Sequence, residues 1–231
     1  MSKRKSRYRN KQSEDNVIKL FRINILPKNK KQETLIAAIE NSKIVVTLGC
    51  AGTGKTYCSA GTIAKLYSQG SYERIVLARS NMPTGKSLGN FPGDIKDKLT
   101  PFLMPMLDVL KELFGKGKYE YMLNKGEIEL QPLETVRGRS FKNSLILVDE
   151  AQNLTMDELK ALSTRLGENS KLIFMGDPAQ SDHKNGQDLN RFANLLIKNN
   201  IEVPVIKFNS NEIVRSDIVA DLVKMFIKEN I

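Results

Sequence analysis

The chain has 231 residues, 40% of them hydrophobic and 27% charged, with a net charge of +10. That length suits one large domain with a substantial core and is short for two. No run approaches the roughly eighteen apolar residues of a membrane helix, and no apolar stretch follows the basic N-terminus, which excludes a secretory signal.

Residues 1–15, MSKRKSRYRNKQSED, hold six basic and two acidic side chains without apolar periodicity, and read as a disordered basic arm. Residues 16–231 read as a single domain. KIVVTL (43–48) is a β-branched run ending at a glycine, which predicts a buried strand. A helix follows from Thr56 to about Gln69, stopped by Gly70, and RIVLA (74–78) is the next strand. Residues 79–95, RSNMPTGKSLGNFPGDI, form a loop long enough to be functional. Helical pattern returns over 95–114, interrupted by Pro101 and Pro105, and again over 119–125. EIELQPL (127–133) has strand periodicity, and SLILVDE (144–150) is a continuous apolar strand suited to the centre of a parallel sheet. Thr155 and Glu158 make a capping box for a helix that ends near Leu166. KLIFM (171–175) is a strand, Asp188–Ile197 a helix and VPVIKF (203–208) a strand. A closing helix capped by Ser216 carries Ile218, Val219, Leu222, Val223, Phe226 and Ile227 at helical spacing. Strands alternating with helices predict an α/β domain with a mostly parallel sheet.

The first strand runs into GCAGTGKTY (49–57), in which Gly49, Gly54, Lys55 and Thr56 fit the phosphate-loop pattern between a strand and a helix. Glycines at 49, 52 and 54 let the backbone N–H groups of Cys50, Ala51, Thr53 and Tyr57's turn converge on phosphate oxygens at a helix N-terminus. Lys55 is placed to reach the β- and γ-phosphates, and Thr56 to hold Mg²⁺. Cys50 and Cys58 flank this loop without metal-ligand spacing. A disulfide would tie up a loop that must close on phosphate, so both read as reduced thiols of a cytoplasmic protein. ILVDEAQ (146–152) supplies Asp149 as the Mg²⁺-directed carboxylate at a strand end, with Glu150 beside it as general base for water. In MGDPAQ (175–180), Gln180 is a candidate to bond the γ-phosphate or the attacking water, although G-D-P is also good turn chemistry. A glutamate directly after the metal aspartate favours ATP hydrolysis over small-molecule phosphotransfer.

DEAQ followed by GDPAQ resembles motifs II and III of superfamily 1 helicases. The longer match is similar to the PhoH family, in a form most like the single-domain versions of bacteriophages. It is carried by GCAGTGKT, MPTGKSLGNFPGDIKDKLTPFLMPMLDVL, LETVRGRSFKNSLILVDEAQNLT, STRLGENSKLIFMGDPAQSD and, more loosely, NEIVRSDIV, over residues 49–219. The resemblance implies a RecA-like core, ATP and Mg²⁺ as cofactors, ATP hydrolysis, and a link to RNA unwinding or RNA metabolism. It also implies that Gln32, seventeen residues before the loop, reads the adenine edge; the plain alternative is a surface glutamine on a helix. No segment fits an added nuclease domain, so no nuclease activity is expected. Ser80 and Asn90 depart from the family pattern within the 79–95 loop.

Efficient phosphoryl transfer calls for an arginine, and helicases of that superfamily draw theirs largely from a second RecA-like domain. With one domain, a neighbouring copy is the expected source, which predicts a head-to-tail homo-oligomer such as a hexameric ring. Arg165 and Arg215 are the candidates, with Arg165 favoured on motif placement. For RNA or single-stranded nucleic acid, Arg137 and Arg139 around Gly138 are the best phosphate contacts, with Lys86 on the same track. Phe141 is a stacking candidate but suits the core better, and His183 reads as solvated. The body keeps +6 without the arm, which favours polyanions, although lysines also serve solubility. Two readings remain open: an ATPase stimulated by nucleic acid, with or without unwinding, and a slow nucleotide-dependent switch that docks a protein partner.

Overall fold

The computed structural model describes residues 23–79, 95–133, 140–181 and 187–229. The predicted arm at 1–15, Ser80, Lys86, Asn90, Arg137, Arg139 and His183 lie outside them. In chain order come α1 (Lys30–Asn41), β1 (Ile44–Leu48), α2 (Lys55–Ser68), β2 (Arg74–Arg79), α3 (Ile95–Phe114), α4 (Lys116–Lys125) and β3 (Ile128–Pro132). Then follow β4 (Ser144–Asp149), α5 (Met156–Thr164), β5 (Lys171–Gly176), α6 (Asp188–Lys198), β6 (Val205–Lys207) and α7 (Asp217–Glu229). The six strands form one sheet in the order β3-β2-β4-β5-β1-β6, and every pairing in it is parallel.

Period-two alternation splits the strand side chains between two cores. Val45, Ile75, Leu77, Leu145, Leu147, Ile173 and Met175 face α1 to α4. Their neighbours Val46, Val76, Ala78, Ile146, Val148, Leu172 and Phe174 face α5 and α6. A sheet buried on both sides explains the unbroken apolar runs of β2, β4 and β5. β3 is an edge strand, where its last residue, Pro132, is tolerated.

Helix α3 differs from its sequence pattern. It runs through Pro101 and Pro105 without a break, although a proline inside a helix costs about 3 kcal/mol. Leu99, Leu103, Met106, Leu107 and Leu110 are all buried against the sheet and α2, while both prolines stand on the exposed face. Burial of that apolar stripe outweighs the lost backbone bonds. No helix among the described residues is long and apolar enough to cross a membrane.

The strand order positions the site. β4, β5 and β1 are consecutive in the sheet, so Asp149, Gly176 and Gly49 emerge side by side at its C-terminal edge. With strands about 4.8 Å apart, the three tips span about 10 Å, the size of a triphosphate with its metal.

Candidate active site

The phosphate loop leaves β1 with backbone that only glycine takes easily. Gly49 has φ of 141°, and a Cβ there would lie 2.5 Å from the Phe208 carbonyl oxygen. Gly54 has φ of 84° and packs on Gln32, whose Nε2 would lie 2.5 Å from such a Cβ. Neighbouring elements hold the loop by its backbone. Gly49 N–H donates to Gly176 O at 3.1 Å, Phe208 N–H to Leu48 O at 2.7 Å, and Val214 N–H to Gly52 O at 2.9 Å. Gly54 then serves as N-cap of α2 with no side-chain capping bond, which leaves the helix's positive end for an anion.

Ala51, Gly52, Gly54, Lys55, Thr56 and Tyr57 line a cavity of about 430 Å³, together with Asp149, Glu150, Gly176, Asp177 and Gln180. Its volume suits a small-molecule ligand. Gly49, Cys50 and Thr53 are not among its lining residues. Lys55 donates to the carbonyls of Gly49 and Cys50. Burial pushes the Lys55 ammonium down, opposed chiefly by the nearby Asp177 carboxylate and then by Asp149 and Glu150. Burial and the adjacent Glu150 push Asp149 up, while Arg79 and Lys55 pull it back. The Thr56 hydroxyl and the partly buried Asp149 carboxylate both line the cavity, an all-oxygen donor pair of the kind Mg²⁺ takes.

Glu150 follows β4 with φ of 51°, in the left-handed region that costs a non-glycine residue about 1–3 kcal/mol and clusters at functional sites. One carboxylate oxygen accepts from Arg79 Nη2 at 3.0 Å, and the other accepts from Gln152 Nε2. Gln152 is itself buried, and its Oε1 accepts from Asp177 N–H at 3.0 Å. It therefore ties the DEAQ segment to the GDPAQ segment. Gly176 is glycine because Gln152 passes so close: a Cβ there would lie 2.7 Å from Gln152 Oε1 and 2.7 Å from Leu189 Cδ2. Gly176→Ala is expected to lower kcat for ATP by about 10²-fold, the typical cost of a shift of about 1 Å at a catalytic group. Steady-state hydrolysis beside a thermal melt checks this.

The arginine candidates separate. Arg215 lines the cavity, with its side chain over Gly52, where a Cβ would lie 3.1 Å from Arg215 Cγ. Arg165 lies at the other edge of the sheet. It caps the C-terminus of α5 beside Leu166, whose bridge to Phe141 precedes the first residues of β4 and β5. It does not reach its own chain's cavity. Gln32 is buried at 3% exposure and spends its amide on the chain: Nε2 donates to Thr53 O at 3.0 Å and Oε1 accepts from Lys28 N–H at 2.7 Å. It braces the loop from behind and is not in the cavity wall. Phe141 is buried at 4% exposure and packs in the core with Val148 and Leu162.

Two charged wall residues, Asp177 and Arg79, escape the sequence reading. Asp177 accepts from Ala179 N–H at 3.1 Å and sits within the field of Lys55. Arg79 ends β2 and reaches both Glu150 and Asp149. Each is a charged residue at the tip of a buried parallel strand, the position where such sheets bind ligands. That signal is present in RIVLAR and KLIFMGD.

A family model described as PhoH-like protein matches residues 24–227. A PhoH-like protein of Bacillus subtilis (strain 168) is 34% identical over 204 residues, which cover 88% of this chain and 64% of that protein. Protein PhoH of Escherichia coli (strain K12) is 34% identical over 200 residues, 83% of this chain and 55% of that one. The chain thus spans between half and two thirds of these relatives. Among solved structures, the large terminase of a thermophilic bacteriophage superposes with a TM-score of 0.56 at 13% identity, over 86% of this chain and 50% of that one. That likeness supports the P-loop α/β fold alone. With the phosphate loop, the strand-end carboxylates and the match all falling on one sheet edge and one stretch of sequence, the chain belongs to the PhoH-like protein family.

Proposed function

We propose that the chain is a Mg²⁺-dependent ATPase whose turnover is driven by RNA or single-stranded nucleic acid. The carrying observation is that Lys55, Thr56, Asp149, Glu150 and Gln180 line one cavity at the C-terminal sheet edge. In this reading, backbone N–H groups of residues 50–56 grip the phosphates and Lys55 neutralises the β- and γ-oxygens. Thr56 and Asp149 hold Mg²⁺, which supplies charge neutralisation of the phosphates when bound. Glu150 accepts the proton of the attacking water, and Gln180 aligns that water or the γ-phosphate. Arg215 adds positive charge over the loop within the same chain. In this reading Arg165, away from its own chain's cavity, serves a neighbouring copy in a head-to-tail ring.

Steady-state ATP hydrolysis with and without single-stranded RNA, at two salt concentrations, tests the reading. The expected result is stimulation that weakens as salt rises, because phosphate contacts release counterions. The second reading is a slow nucleotide-dependent switch that docks a protein. It is favoured by α7, which follows Arg215 directly and leaves Ile218 67% exposed, with Leu222, Met225 and Phe226 also exposed. Slow turnover indifferent to RNA would select it.

A further inference from the structure

Arg79 makes a set of contacts that the sequence motifs do not account for. Its Nη2 donates to Glu150 Oε1 at 3.0 Å, and its Nη1 lies 3.5 Å from Asp149 Oδ2. The same Nη1 donates to the backbone carbonyl of Phe102 at 2.7 Å, and the Phe102 ring lies 6.0 Å from the guanidinium carbon. Phe102 stands between Pro101 and Pro105 in the middle of α3. One planar group thus joins the tip of β2, the two carboxylates after β4 and the middle of α3.

We propose that Arg79 is a positioning residue for the water-activating carboxylate, fixing Glu150 against the middle of α3. The physical need is plain. Glu150 sits in a left-handed backbone conformation beside a second carboxylate, so repulsion and strain both favour swinging it away. Gln152 restrains one of its oxygens and Arg79 the other. Of the two carboxylates, Glu150 takes the shorter arginine contact, and Asp149, the metal-directed one, the longer. The fork of an arginine can bond three oxygens in fixed directions, which the single ammonium of a lysine cannot reproduce. The bond to Phe102 O anchors the same guanidinium on a packed helix, which holds the group that fixes Glu150.

The inference rests on the ATPase reading above, and a mutant cycle separates the two. We would measure kcat and KM for ATP in the wild type, Arg79→Ala, Glu150→Gln and the double variant. Arg79→Ala is expected to lose about 10²-fold in kcat, with KM changed by less than about threefold, because the effect falls on the transition state. The double variant is expected to be no slower than Glu150→Gln, since Arg79 acts through that carboxylate. Arg79→Lys is expected to stay near the alanine variant, and carries the same cycle if the alanine protein melts below the assay temperature. Additive losses, a raised KM with unchanged kcat, or full recovery with lysine would each overturn the proposal while leaving the ATPase reading intact. A wild type without turnover, or turnover indifferent to Glu150→Gln, would overturn it together with the assigned chemistry.

Discussion

Glu150→Gln is expected to lower single-turnover ATP hydrolysis by about 10²–10⁴, the usual worth of a positioned general base, while ATP binding is retained or tightened. The substitution keeps shape and one acceptor: the amide oxygen can still take the bond from Arg79 Nη2, now 3.0 Å from Glu150 Oε1. It loses the other, because an amide NH₂ cannot accept from Gln152 Nε2. It also removes a negative charge from beside Asp149, where that charge helps push the neighbouring carboxyl up. With one carboxylate fewer in the cavity that Asp149 and Thr56 line, the proposed metal and triphosphate would meet a less repulsive wall, so affinity holds or rises as the rate falls. Rapid-quench hydrolysis beside a fluorescent-nucleotide titration reads the two effects apart. Preserved turnover would remove Glu150 as the base and leave its left-handed backbone without a catalytic reason.

What the sequence makes legible here is mostly what lies along one segment. Apolar runs closed by a glycine or a charge identify β1, β4 and β5, and the loop and DEAQ motifs carry their own chemistry. The relation between segments is harder. Arg165 closes α5, and in a β–α–β unit a helix starts at the C-terminal edge of the sheet and ends at the far one, which keeps it from its own chain's cavity and leaves it to a neighbouring copy, as expected of it. Arg215 follows β6 and therefore returns to the site edge. By the same reasoning Arg79 and Asp177, each at a strand tip, belong in the wall. Gln32 shows a different limit: an amide that could read a base can equally brace a loop, and only packing against Thr53 and Lys28 reveals which bonds it makes. In α3 the prolines suggest breaks because local propensity gives no measure of how much apolar surface the opposite face buries.

Lys55→Met is expected to separate stability from function most sharply. Methionine keeps the stem length and removes the ammonium, which donates to Gly49 O and Cys50 O and is desolvated by its position under the loop. A charge-assisted bond to phosphate is worth about 1.5–3 kcal/mol, and in the proposed reaction the same group would also stabilise charge that develops during transfer. Turnover should therefore fall by at least about 10²–10³, as when one preorganised donor is removed from a transition state. The fold should hardly notice. Losing the carbonyl contacts costs stability, but the partly buried ammonium is itself held in an unfavourable place, and the Cys50 carbonyl keeps its bond from Thr53 Oγ1 at 3.0 Å. The melting temperature is expected within about 4 °C of the wild type, the shift of about 1 kcal/mol in a chain of this size. The sign of the pH dependence is a further check. Burial depresses Lys55 in the folded protein, so the unfolded chain binds the extra proton and the wild type gains stability relative to Lys55→Met as pH rises towards the ordinary lysine value. Calorimetry at neutral and alkaline pH, paired with nucleotide binding, measures both. A large loss of melting temperature would mean that Lys55 holds the loop together by its carbonyl bonds, and that the loop depends on its own lysine for its shape.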